Sequence, residues 1–234
     1  MAPSIEPPDA AIHGEAAADA ALAEGLFRGS DGLARCGWCR GSAAYQDYHD
    51  REWGFPVVDE RRLFEKLCLE GFQSGLSWLT ILNKRQAFRA AFADFEPEVL
   101  AGFGAADIER LLGNPSIVRH RGKIEATLCN ARRLLELRAE FGSLVSYAWA
   151  HEPAAQDRPA QPSHRMVRSF VTSAESIAMS ADLKRRGWRF VGPTTVYAFM
   201  QAMGLVNDHV HGCHVRPRVA AARKALSDPE TESR

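Results

Sequence analysis

The chain has 234 residues, 46% of them apolar, enough for one large or two small domains around a real core. Lys plus Arg and Asp plus Glu number 29 each, and this zero net charge argues at first against a nucleic-acid partner. No apolar run is long enough to cross a membrane, no secretion signal is visible, and five cysteines suit free thiols in a reducing cytoplasm better than a disulfide framework.

Residues 1–33 are rich in Ala, Pro, Gly and acid without a sustained apolar face, so a mobile acidic extension is expected there. The folded domain is expected over residues 34–216, opening with Arg35-Cys36-Gly37-Trp38-Cys39. Cys36 and Cys39 have the C-x-x-C spacing of a redox pair, although no βαβ context surrounds them. Asp59 is placed to cap a helix running to about residue 70, with Leu63, Phe64, Leu67 and Cys68 on its buried stripe. Glu70 then sits near a helix C-terminus, where a carboxylate opposes the macrodipole at a cost of roughly 0.3–1 kcal/mol. With Gly71 and Trp78 following, it reads either as a pocket wall or as an exposed acid at a loose helix end.

Apolar periodicity predicts further helices over 79–92, from Pro97, over 107–112, 124–141 and 143–150, with Gly113 and Gly142 as stops. Residues 152–165 read as a loop and 217–234 as a polar tail. No strand pattern or repeat emerges, and the expected fold class is all-α.

The most informative stretch is 183–214. Lys184, Arg185 and Arg186 close one helix, Gly187 suits a left-handed cap, and residues 188–192 turn the chain into a helix opened by Pro193 and stopped by Gly204. Such a hairpin aims backbone N–H groups and a helix start outward, as a phosphate site does, although an αα-hairpin that only packs has the same pattern. His209 and Cys213, four apart, are expected on one face of a short helix capped by Asn207 or Asp208, forming half of a tetrahedral zinc site. Cys36 and His49 are the natural other half. Four protein ligands leave no open position, so such a zinc would be structural.

Charge is unevenly placed. Residues 1–34 hold six acids against Arg28 alone, so the remaining chain carries the compensating positive charge. Its basic clusters at Arg119-His120-Arg121-Lys123 and Lys184-Arg185-Arg186-Arg189 read as a phosphate footprint or as solvated faces.

These residues together resemble the type I 3-methyladenine DNA glycosylases of the helix-hairpin-helix superfamily. The carrying motifs are RCGW at 35–38, YHDREWG at 48–54, LEGFQSGLSW at 69–78, RHRGKI at 119–124 and RFVGPTTVYAFMQAMGLVNDHV at 189–210. The resemblance implies two helical lobes enclosing a lesion pocket, with one structural zinc on Cys36, His49, His209 and Cys213. It implies base contacts from Tyr45, Tyr48, Trp53, Glu70 and Trp78, with Glu70 the residue nearest the chemistry. DNA contacts fall on Arg189, Val191, Gly192 and Thr194. The implied partners are alkylated double-stranded DNA and free 3-methyladenine as product, the enzyme acting as a monomer. Asn207 stands where most of the superfamily has a catalytic Asp, and Thr194 takes the place of the lysine of bifunctional relatives, so no Schiff-base lyase step is expected. Cys39, His211 and His214 are further potential ligands beside the metal set. A zinc-stabilised DNA-binding module without catalysis, or a thiol–disulfide protein using Cys36 and Cys39, are the alternatives.

Overall fold

The computed structural model describes residues 23–227; residues 1–22 of the expected extension and 228–234 of the expected tail lie outside the described residues. A short antiparallel ribbon comes first, β1 (Leu26–Arg28) pairing with β2 (Ala34–Cys36) in the register Leu26↔Cys36, Phe27↔Arg35 and Arg28↔Ala34. This corrects both the strand-free expectation and the extension boundary at residue 33. Three-residue strands are too short to show alternation in sequence; a Gly29–Gly32 turn and the Asp31–Arg35 ion pair at 2.6 Å hold them instead.

Helices follow: α1 (Ala43–Arg51), α2 (Glu60–Gln73), α3 (Trp78–Ala91), α4 (Pro97–Ala101) and α5 (Ala105–Leu112). The long α6 (Arg121–Phe141) leads to α7 (Leu144–Trp149), α8 (His164–Ser169), α9 (Ala174–Arg185), α10 (Pro193–Ala202) and α11 (Arg216–Ser227). Among the described residues no helix is long and apolar enough to cross a membrane.

The fold is built around α2. Asp59 caps it, accepting from the Arg62 N–H at 2.8 Å, and every residue from Leu63 to Phe72 is buried. A helix buried all round must have partners on all sides; α3, α6, α7 and α10 supply them. Phe72 meets Phe88 and Phe92 of the α3 end at 4.6 and 5.7 Å between ring centroids, an aromatic core continued by Phe95. A smaller apolar cluster of Cys36, Val210, Cys213, Val215 and Val219 joins the ribbon to the C-terminal helix.

Most of the expected helices form with ends shifted by a few residues. The expected polar tail is instead α11 as far as residue 227, because Val219 and Arg223, one turn apart, are both buried. One apolar residue per turn is too sparse a stripe to announce a helix. The expected short helix around His209 is a loop: residues 207–210 have no regular structure and Arg216 Nη1 binds the Asn207 and His209 carbonyls at 2.7 and 2.9 Å. Neither Asn207 nor Asp208 is a cap; Tyr197 and Gln201 donate to the Asp208 carboxylate instead, at 2.7 and 2.8 Å.

Candidate functional site

Cys36 at the end of β2, His49 on α1, and His209 and Cys213 from the loop after α10 converge, their ligand atoms all within 4.8 Å of one another. The Cys213 sulfur is 3.4 Å from His49 Nε2 and 3.6 Å from His209 Nδ1, and Cys36 Sγ is 3.7 Å from His209 Nδ1. Bond lengths of about 2.0–2.3 Å in a tetrahedron require ligand separations of roughly 3.3–3.8 Å, so the set fits a small four-coordinate cation. All four residues are buried.

The outer partners fix the ring orientations. His49 Nδ1 lies 2.7 Å from Asp50, which also binds Arg35 and His214, and His209 Nε2 lies 3.0 Å from the Trp53 carbonyl. Each imidazole therefore has an acceptor at one nitrogen and leaves the other unprotonated toward the cluster centre. Cys213 is held toward thiolate chiefly by the hydrogen bond from the Cys36 thiol. Cys39 lies outside the set: its thiol donates to the Cys36 carbonyl at 3.1 Å, and burial pushes its pKa up to about 12. That is the opposite of an activated redox thiol. His211 is exposed, and His214 lies outside the four, bound to Asp50 at 3.1 Å and beside the His49 ring at 6.3 Å between centroids.

Next to this centre stands an aromatic and charged cage. Trp38 packs edge-on against Tyr45, His49 and Trp53 at 5.3, 5.3 and 5.2 Å, and Trp53 packs against His209 at 4.7 Å. Tyr48 and Trp78 face each other at 5.4 Å, and the Tyr45 hydroxyl accepts from the Leu79 N–H at 3.1 Å, seating the start of α3 on α1. Glu70 does lie in the last turn of α2, near its C-terminus, but it is not exposed: it is 6% accessible, with its carboxylate 2.7 Å from Lys66 Nζ. Gly71, read as part of a bend, is also helical. Its missing side chain admits the hairpin, since a Cβ there would lie 3.2 Å from that of Phe190.

The Lys66 ammonium stands 3.1 Å from the Trp78 ring centroid and 2.8 Å from the Tyr48 hydroxyl, to which it donates. Glu52 and Arg85, paired at 2.6 Å, close the far side. The cage thus holds a cation between an indole face and a carboxylate, the arrangement that attracts positively charged aromatic ligands.

The hairpin between α9 and α10 has the expected shape. Gly187 takes φ +84°, Trp188 and Val191 are buried, Gly192 caps α10, and Thr194 and Arg189 are exposed. The Val191 side chain belongs to the core, and its carbonyl accepts from Ser180 Oγ at 2.6 Å. Of the basic clusters, Lys123 is turned inward onto the Phe72 and Ser74 carbonyls, Arg121 pairs with Glu109, and Arg185 and Arg186 pair with Asp182. Arg119, Lys184 and Arg189 remain exposed.

Sequence reasoning passed over Lys66, Trp38 as a cage wall, and Asn130. The Asn130 amide binds both the N–H and the carbonyl of Arg189, at 2.8 and 3.0 Å, fixing the hairpin to α6. Lys66 carried one usable signal, its i,i+4 spacing to Glu70.

Residues 38–216 match the methyladenine glycosylase family, and the chain belongs to it. It is 46% identical over 188 residues to DNA-3-methyladenine glycosylase 1 of Escherichia coli (strain K12), covering 79% of this chain and 98% of that protein. It is 44% identical to DNA-3-methyladenine glycosylase of Haemophilus influenzae (strain ATCC 51907 / DSM 11121 / KW20 / Rd), covering 76% and 96%. A crystal structure of 3-methyladenine DNA glycosylase I superposes with a TM-score of 0.72 at 44% identity, over 78% of this chain and all of that one. A tyrosine-to-phenylalanine variant of such an enzyme, in complex with 3-methyladenine, gives 0.72 at 36% identity, over 78% and 97%.

Proposed function

We propose that the protein is a monofunctional DNA glycosylase that hydrolyses the N-glycosidic bond of 3-methyladenine in alkylated double-stranded DNA, releasing the free base and leaving an abasic site. The observation that carries this reading is the cation held between Trp78 and Glu70. Adenine methylated at N3 is a cation in DNA, so the Trp78 and Tyr48 faces attract it by roughly 0.5–2 kcal/mol over a neutral base. Tyr45 and Trp53 complete the wall, and Glu70 accepts hydrogen bonds from the base's donor edge, strengthened by opposite charge.

The nucleotide is flipped out of the stack to reach this cage. As the bond between C1′ and the base breaks, its electron pair moves onto the base, which leaves neutral; water supplies the oxygen that bonds C1′ and loses a proton to solvent. A leaving group already cationic needs little chemical help, so binding and orientation by Glu70 and the aromatic walls are the protein's main contribution. Thr194 is no amine nucleophile, and no lyase step follows. The Val191 and Gly192 backbone, Thr194 and Arg189 hold phosphates beside the lesion.

Cys36, His49, His209 and Cys213 would hold one zinc, a structural ion that clips the N-terminal ribbon and α1 to the C-terminal loop. The test is incubation with methylated duplex DNA and identification of the released base by mass: free 3-methyladenine is expected, and its absence from a folded, metal-loaded protein overturns the reading.

A further inference from the structure

We propose that Lys66 is a counter-ligand built into the base pocket: its ammonium occupies the cation position on Trp78 and Glu70 in the empty enzyme, yields to the cationic methylated base, and returns against the neutral base after cleavage. This rests on the reading of the cage as the base site. Three observations carry it. Lys66 Nζ takes up the interactions a bound cation would use, 3.1 Å from the Trp78 ring centroid, 2.7 Å from Glu70 and 2.8 Å from the Tyr48 hydroxyl. A small cavity of about 20 Å³, room for one water, adjoins Lys66, Tyr48 and Trp78 and is not lined by Glu70, so it is space into which the ammonium can turn when it leaves that carboxylate. Lysine is the mobile part, an unbranched four-carbon stem among packed rings, and Glu52 and Glu65 line the same cavity as acceptors for a displaced ammonium.

Two positive charges a few ångströms apart in a buried site repel strongly, so ammonium and cationic base exclude each other. The incoming nucleotide brings flanking phosphate contacts and its own charge, and it displaces Lys66. Once the glycosidic bond is broken the base is neutral and loses both the ring–cation attraction and the charge-assisted hydrogen bonds. Lys66 then competes on better terms, which speeds product release. Burial pushes the Lys66 pKa down to about 8 against the pull of Glu70. The groups facing Lys66 are Glu70, Glu65 and Arg62 on α2, Tyr48 on α1, Glu52 just past its end, and Arg85 and Arg89 on α3.

Binding of free 3-methyladenine, read by calorimetry and tryptophan fluorescence, tests this on the full chain. Lys66→Met and the more conservative Lys66→Gln are each expected to bind the base more tightly, by roughly tenfold for Lys66→Met. Native affinity should tighten as pH rises through about 8 relative to Lys66→Gln, a ratio in which the base's own titration cancels. Unchanged or weaker binding by both variants overturns the proposal, as does a native profile parallel to that of Lys66→Gln. Should neither variant fold, a native affinity that fails to tighten with pH once the separately measured titration of the free base is divided out overturns it alone. Trp78→Ala separates the two ideas: if it leaves base binding intact, the cage is not the base site. If it weakens binding while the lysine variants do not tighten it, the counter-ligand alone is lost.

Discussion

Glu70 is a buried carboxylate whose nearest cation belongs to the protein itself. Glu70→Gln removes the charge that favours a cationic adenine, so single-turnover excision of 3-methyladenine should fall by roughly tenfold, the difference between a charge-assisted and a neutral hydrogen bond. Excision at the native rate by a folded Glu70→Gln protein would remove Glu70 from the site. The substitution also strands Lys66, so thermal melting should show a loss of about 1–3 kcal/mol, limited because a buried ammonium without its carboxylate can shed its proton. An exposed glutamate at a loose helix end, the milder reading of the sequence, would lose nothing. Glu70 was legible through its motif, but its environment was not. With Leu63, Phe64, Leu67 and Cys68 as the apolar stripe, positions 66 and 70 fall on the face just beyond its Leu63 edge, where a sequence reads charged residues as a solvated border. That face is covered by α1 and α3, a tertiary contact that periodicity does not encode.

At the scale of elements, the hairpin was the most legible part of the chain because glycine and proline mark it locally. Gly187 at φ +84° and Pro193 opening α10 follow from backbone sterics alone. What positions the hairpin was hidden, since Asn130 lies 59 residues from Arg189 and an asparagine in mid-helix has no local signature. Asn130→Ala should cost about 1–3 kcal/mol in thermal melting, because the Arg189 N–H loses its buried partner. It should also weaken DNA binding without touching the base cage. Arg189→Ala should lower affinity alike for all duplex sequences and reduce the slope of log affinity against log salt by about one. A sequence-selective loss, or an unchanged slope, would show that this arginine does not bind phosphate. The loop over 207–214 marks the opposite case: four-residue spacing of ligands fits a helix turn, yet the ligands are brought together by a loop held by Arg216.

At the scale of the molecule, the cysteine–histidine centre joins segments more than 160 residues apart, Cys213 to His49 and His209 to Cys36. The ligand types showed in the sequence; their convergence required the β1–β2 ribbon, which did not. A metal clip closing so long a loop removes much of the unfolded chain's freedom and couples binding to folding. Elemental analysis should therefore find about one zinc per chain. Cys213→Ala should lose metal and melt well below the native protein, whereas Cys39→Ser should keep the metal because Cys39 only donates to a carbonyl. The centre also reaches the cage directly. His209 abuts the Trp53 ring at 4.7 Å and binds the Trp53 carbonyl, and Trp38 spans from His49 to Tyr45. Removing the metal by chelation at a temperature where the protein stays folded should then loosen the aromatic wall and weaken binding of free 3-methyladenine several-fold, with zinc restoring it. Calorimetric titration before chelation, after it and after zinc return reads this directly. Equal affinity in all three states would show that the centre holds the chain together without shaping the pocket.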